Sequence, residues 1–221
     1  MNNFLFFAIF ALGIGATIQY FLGVKKNRWM GKSLSTQAEE ILKPKDTDYV
    51  NIGGAIGYNF TYKLKEPWKN AKGTFTLFPR HSLLYMPISL IVGNCDRFYM
   101  NIFTDKKLVG EGHIIEKGHS RRAKIEGLEE MHKEEVQRAG KTFMLCWRSV
   151  NLKDKLLQTL DSMPDASSLT HFCCYPDNKT FFLYLKPKKS QISDNLRFFL
   201  AQCPTYFRQE KPQEKPSEPN K

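Results

Sequence analysis

The chain has 221 residues, of which 42% are hydrophobic, 13% aromatic and 25% charged, a balance that supports one packed body and excludes wholesale disorder. Thirty-three Lys and Arg against twenty-two Asp and Glu give a formal net charge of +11, which favours phosphate-rich partners, anionic lipid or nucleic acid. The five cysteines, Cys95, Cys146, Cys173, Cys174 and Cys203, are odd in number and lack a repeated CxxC spacing. They suggest neither a disulfide framework nor a zinc site, and read as reduced core thiols in keeping with a cytoplasmic placement.

Residues 4–24 form an uncharged run of twenty-one. As a helix this run is about 31 Å long, the thickness of a bilayer's hydrocarbon, so residues 1–24 are expected to be a single transmembrane helix. A cleaved signal peptide would carry a positive start and small residues at its cleavage site, whereas Met1-Asn2-Asn3 has no side-chain charge and Tyr20-Phe21-Leu22 is bulky. Lys25, Lys26, Arg28 and Lys32 crowd the C-terminal flank. The positive-inside rule therefore predicts an outside N-terminus and a cytoplasmic domain. Trp29 and Tyr20 fall where aromatic rings favour the membrane interface. Ala11 and Gly15 make a small-xxx-small pair through which a homodimer could pack. Asn59 and Asn178 match the glycosylation acceptor pattern, which is inert on a cytoplasmic domain.

Residues 25–48 read as a basic juxtamembrane spacer with a short helix at 36–42, ended by Lys43-Pro44. From 49 to 118 short aromatic and β-branched segments predict an antiparallel meander, with strands at 55–64, 73–78, 82–92, 97–104 and 108–115. Turn signals separate them at Pro67, Pro79-Arg80-His81, Gly93-Asn94 and Asp105-Lys106-Lys107. Residues 119–207 are expected to form the α/β part of the same body. Ile125, Leu128, Met131 and Val136 predict a helix over 124–139, with Glu129/Lys133 and Glu134/Arg138 spaced i,i+4 and Gly140 as a stop. A strand apolar on both faces follows at 141–148. Asn151 can cap a helix with the stripe Leu152, Leu156, Leu157, Leu160 and Met163. A hairpin at 169–174 and 180–185 turns through Pro176-Asp177-Asn178, and a last helix spans 190–203. The order β-α-β-β-α approaches a split βαβ unit, and the fold class is α+β in one body. Residues 208–221, with their Gln-Glu-Lys-Pro repeat, lack large apolar side chains and are expected to be a solvated tail.

The run Gly73-Thr74-Phe75-Thr76-Leu77-Phe78 followed by Leu83-Leu84-Tyr85-Met86-Pro87 resembles the opening of PH/GRAM-type lipid-binding modules, where a strand, a tight turn and a second aromatic strand begin a meander. The resemblance covers some fifteen residues, implies a PH/GRAM-like barrel with a separate small α/β layer as the alternative fold, and carries over no binding residues. Such modules close with one C-terminal helix, whereas this chain continues β-α-β-β-α.

Candidate chemistry rests on few residues. Gly53-Gly54-Ala55-Ile56-Gly57 is followed by a strand pattern and not by Lys-Ser/Thr and a helix, so it reads as a tight turn or bulge. Glu111 and His113, two apart on a strand, point the same way, and with His119 could form an acid/base or metal cluster. His171 and Cys173 share a strand face and could hold a metal or activate a nucleophile if a third group came from elsewhere, but no such partner is identifiable. No metal or cofactor is therefore expected. Lys25, Lys26, Arg28, Trp29 and Lys32 are the candidate membrane-interface and lipid-binding residues. These features predict a membrane-anchored, non-enzymatic adaptor or assembly factor whose basic cytoplasmic domain binds a protein partner or anionic lipid headgroups. The alternative is a membrane-bound enzyme working with a His/Glu or His/Cys cluster. Nucleic-acid binding is disfavoured by the anchor and by the lack of an RNP-like or helix-turn-helix pattern.

Overall fold

A computed structural model describes residues 3–209, so the expected tail lies almost wholly outside the described residues. Helix α1 (Asn3–Leu42) is one unbroken helix of 40 residues, about 60 Å long. Its apolar N-terminal stretch is long enough to cross a membrane and is not covered by any other of the described residues. From Gly23 onward the helix buries a narrow stripe, Gly23, Asn27, Met30, Gly31, Leu34, Ala38 and Leu42, at helical spacings of three and four. The segment expected as a spacer is thus the docked half of α1. Glycine, asparagine and alanine in the stripe hid it from a hydrophobic reading. Pro44 still stops the helix, and a strand begins two residues later.

Nine strands follow: β1 (Asp46–Asn51), β2 (Gly57–Lys63), β3 (Trp68–Thr76), β4 (Arg97–Thr104), β5 (Glu111–Glu116), β6 (His132–Arg138), β7 (Lys141–Arg148), β8 (Leu169–Tyr175) and β9 (Thr180–Leu185). They make one antiparallel sheet in the order β1-β2-β3-β4-β9-β8-β5-β7-β6. The remaining α-helices are α2 (Tyr85–Ile91), α3 (Lys117–Ala123), α4 (Lys153–Asp161) and α5 (Ser193–Gln202). The α+β class is therefore the observed one. The barrel alternative is not: the sheet is open, with β1 and β6 at its edges. Nor does the meander run to a fifth strand. It ends at β4, the hairpin β8–β9 inserts beside it, and β5 crosses over to lie between β8 and β7. This interleaving makes the two parts one body.

Two elements differ from expectation. The segment 82–92 is helix α2 and not a strand, which also removes half of the PH/GRAM resemblance. A short run apolar on all sides does not distinguish the two states, and Pro87 falls in the first helical turn, where a missing N–H costs nothing. The segment 124–139 is a 3-10 turn (Leu128–Glu130) and then strand β6. Its charges fit an edge strand as well as a helix: Glu134 pairs with Lys153 and Arg138 with Asp161, while Lys133 reaches Glu129 from the sheet edge. The run 53–57 forms the β1–β2 turn, where Asn51 accepts from Gly53 N–H and donates to the Gly54 carbonyl, and Gly54 takes a φ of +58°.

One sheet face carries the main core. Phe98, Met100, Ile102, Ile114, Leu145, Phe172, Phe181 and Leu183 pack against Leu34 of α1, Leu156 and Leu160 of α4, and Leu196 and Phe199 of α5. Alternation along the strands turns Ile115 and Cys146 to the opposite face, where Ile125 and Met131 cover them in a smaller cluster. That second face positions the histidines.

Candidate functional site

Residues opposite each other in a sheet share a face, and His113 on β5 stands opposite Cys173 on β8. His171, two residues before Cys173, joins them. The two motifs far apart in the chain thus meet: His113 Nδ1 lies 3.1 Å from His171 Nε2, and the ligand atoms of His113, His171 and Cys173 all fall within 4.8 Å of one another. Glu111 Oε1 is 3.2 Å from His113 Nε2. His119 arrives from α3, its ring centroid 6.2 Å from that of His171. All five residues singled out for chemistry, Glu111, His113, His119, His171 and Cys173, occupy one neighbourhood.

Two further residues belong to it. Arg148 Nε donates to Glu111 Oε2 at 3.1 Å, and the same guanidinium reaches Glu130 and the carbonyls of Glu126 and Gly127. Tyr175 stacks edge-on to His113 at 5.2 Å. Neither carried a legible signal, because Arg148 meets Glu111 only through the β5–β7 register.

Burial governs the charge states. His113 and Cys173 are fully buried and His171 is 5% exposed. Burial pushes His113 below its ordinary value against the opposing pull of Glu111. His171 lies well below, through burial and then the neighbouring His113 and His119. Burial likewise pushes the Cys173 thiol well above its ordinary range. Because a carboxylate only accepts, a neutral His113 donates to Glu111 from Nε2–H, which leaves its Nδ1 to accept from His171 Nε2–H. His113 and Cys173 have no access from solvent in this conformation.

A second region lies where α1 enters the domain. Lys25, Lys26, Arg28, Trp29 and Lys32 are all exposed, with Lys26 Nζ 4.7 Å above the Trp29 ring. Opposite them, Asn27 is buried and donates to the Phe78 carbonyl at 2.9 Å. Arg80 forms a two-pronged pair with Asp96 at 2.8 and 2.7 Å and also donates to Asn27 Oδ1. Gln19 Nε2 donates to the Arg80 carbonyl at 2.6 Å and lies 3.9 Å from Met86 Sδ on α2. This clamp holds α2 beside the end of the apolar stretch. The segment exposes Leu84 (73%), Tyr85, Ile88, Leu90, Ile91 (87%) and Val92, an apolar patch that the strand reading of 82–92 concealed. Ala11 is exposed, and among the described residues nothing packs within 4 Å of where a Gly15 side chain would stand.

No protein-family model matches the chain, and no curated protein shows significant similarity to it.

Proposed function

We propose that the protein is a single-pass, membrane-anchored, non-enzymatic adaptor or assembly factor, its domain on the cytoplasmic face. Residues 4–24 cross the bilayer, Lys25, Lys26, Arg28 and Lys32 bind anionic headgroups, Trp29 sits at the interface, and the basic domain receives a protein partner. The observation that carries the reading is α2. Its exposed apolar side chains lie next to Gln19, within the length of α1 that the bilayer would surround, so inserting α1 also buries Leu84, Ile88, Ile91 and Val92 in lipid. Apolar surface on two elements fixed side by side is accounted for by one solvent, the membrane. The domain then rests on the bilayer in a defined pose, and tethering raises its effective concentration for any partner on the same surface.

The membrane-bound enzyme reading has in its favour the convergence of Glu111, His113, His119, His171 and Cys173. Against it stands the complete burial of His113 and Cys173.

The pose is tested in reconstituted vesicles with a polarity-sensitive fluorophore on Ile91→Cys, with Val50→Cys on the edge strand as reference. Blue-shifted emission quenched by brominated lipid at 91, and solvent-like emission at 50, is the expected result. Solvent-like emission at both would sink the membrane pose of α2. Protease protection in sealed vesicles checks the direction: an inward-facing domain is expected to survive until detergent is added.

A further inference from the structure

We propose that His113 Nδ1, His171 Nε2 and Cys173 Sγ form a binding site for one borderline-soft divalent cation of the zinc type. The inference is independent of the membrane reading. Two imidazoles and a thiolate are the ligand chemistry that such ions select over the hard cations, which take oxygen. The geometry agrees. Two nitrogens bound to one tetrahedral zinc at about 2.0–2.1 Å stand about 3.3 Å apart, close to the 3.1 Å between these two ring nitrogens. A nitrogen and a sulfur on the same ion stand about 3.6 Å apart. The two ring nitrogens need to move apart by about 0.2 Å, and the thiol, within 4.8 Å of a nitrogen of each ring, to close in.

The surroundings are those of a ligating histidine. Glu111 accepts from the distal nitrogen of His113, which sets the tautomer that turns Nδ1 toward the ion, and Arg148 holds Glu111 in turn. All three ligands stand on β5 and β8, adjacent strands inside the sheet, so their backbone positions are fixed by ladders and not by loops. His119, on α3 with its ring 6.2 Å from that of His171, is a third imidazole within reach of a fourth position, which a water otherwise fills. Binding forms an S–metal bond as the Cys173 S–H bond breaks and its proton leaves by the side of the partly exposed His171 and His119, from which the ion enters, while the proton shared by the two imidazoles moves to His171 Nδ1. No electron is transferred.

Cobalt(II) titrated into the chelator-stripped full-length protein in detergent is the probe. The expected result is saturation at one equivalent, with a thiolate-to-cobalt charge-transfer band, visible bands of tetrahedral strength, and displacement of both by zinc. Cys173→Ser should abolish the charge-transfer band, Glu111→Gln should weaken binding about 10- to 100-fold, and Cys203→Ser should change neither. Far- and near-ultraviolet circular dichroism verifies that each variant is folded, and the near-isosteric Cys173→Ser serves if Glu111→Gln is not. An absent charge-transfer band at several equivalents of cobalt, or a band that persists in folded Cys173→Ser, would overturn the site. In that event the 3.1 Å contact is a hydrogen bond between two neutral histidines and nothing more.

Discussion

The two halves of α1 have opposite fates. Residues 3–22 are the most apolar of the helix and expose nearly all of their side chains, whereas residues 23–42 are largely polar and bury a stripe against the sheet. The difference lies in the arrangement of apolar groups around the helix. The apolar half is long and apolar enough to cross a membrane and meets no neighbour among the described residues, while a narrow stripe needs only one neighbour. Gly23 lets that neighbour approach closely, and Leu34, Ala38 and Leu42 fill the space beneath.

Four measurements sharpen or break this contrast. Leu34→Ala empties a fully buried position and should cost about 2–5 kcal/mol in thermal or denaturant unfolding of the detergent-solubilised protein. Leu12→Ala, at an exposed position of the other half, should leave the same transition unchanged within roughly 0.5 kcal/mol. Equal losses would mean that the halves are not distinct. Gly23→Ala should cost about 1–3 kcal/mol, because the added methyl would overlap the backbone of Arg80 and His81. Gly13→Ala and Gly15→Ala meet nothing within 4 Å among the described residues and should be neutral in the same melts.

Asn27→Leu tests the clamp between the halves. Its amide satisfies the Phe78 carbonyl and the Arg80 guanidinium in a buried setting, so its removal should cost about 1–3 kcal/mol. It should also release α2, read as faster amide exchange over residues 82–94, and a melt with unchanged exchange there would show that α2 is held some other way. The smallest effect is a pH dependence in the sheet body. Burial alone would raise the Glu116 carboxyl, but Lys186 at 3.0 Å and Lys141 at 3.4 Å outweigh it and hold it below the ordinary value of 4.5. As pH falls the unfolded chain takes up this proton before the folded one. The contribution is therefore whole above pH 4.5 and is lost as pH falls through the folded-state value. Melting temperatures across this window should fall less steeply in Glu116→Gln than in the parent, and parallel curves would dismiss the carboxylate.

Legibility followed the range of the interactions involved. Strands 97–104 and 141–148, the hairpin of β8 and β9, and helices α4 and α5 were readable because alternation, helical stripes and turn residues are local. α2 and β6 were misread for the same reason. The closely spaced large apolar residues in the segment of α2, six of them exposed, fit a buried strand or an exposed helix equally, and the i,i+4 charges of β6 found partners on other elements. Glu111, His113, His119, His171 and Cys173 were visible as two weak motifs. What the chain could not disclose was that β5 leaves the meander and pairs with β8, which supplies the third ligand that His171 and Cys173 lacked.

By itself, then, the sequence determined the uncharged apolar stretch, its basic flank, and an α+β body of short strands and amphipathic helices. These are properties of composition and of neighbours within a few residues. The tertiary structure alone decided that α1 continues past the apolar stretch as a docking helix, that α2 stands beside its end, and that the histidines and Cys173 converge. Each depends on pairings across tens of residues, such as Asn27 with Phe78 and His113 with His171, which are set by sheet order and core packing and leave no periodic trace in the chain.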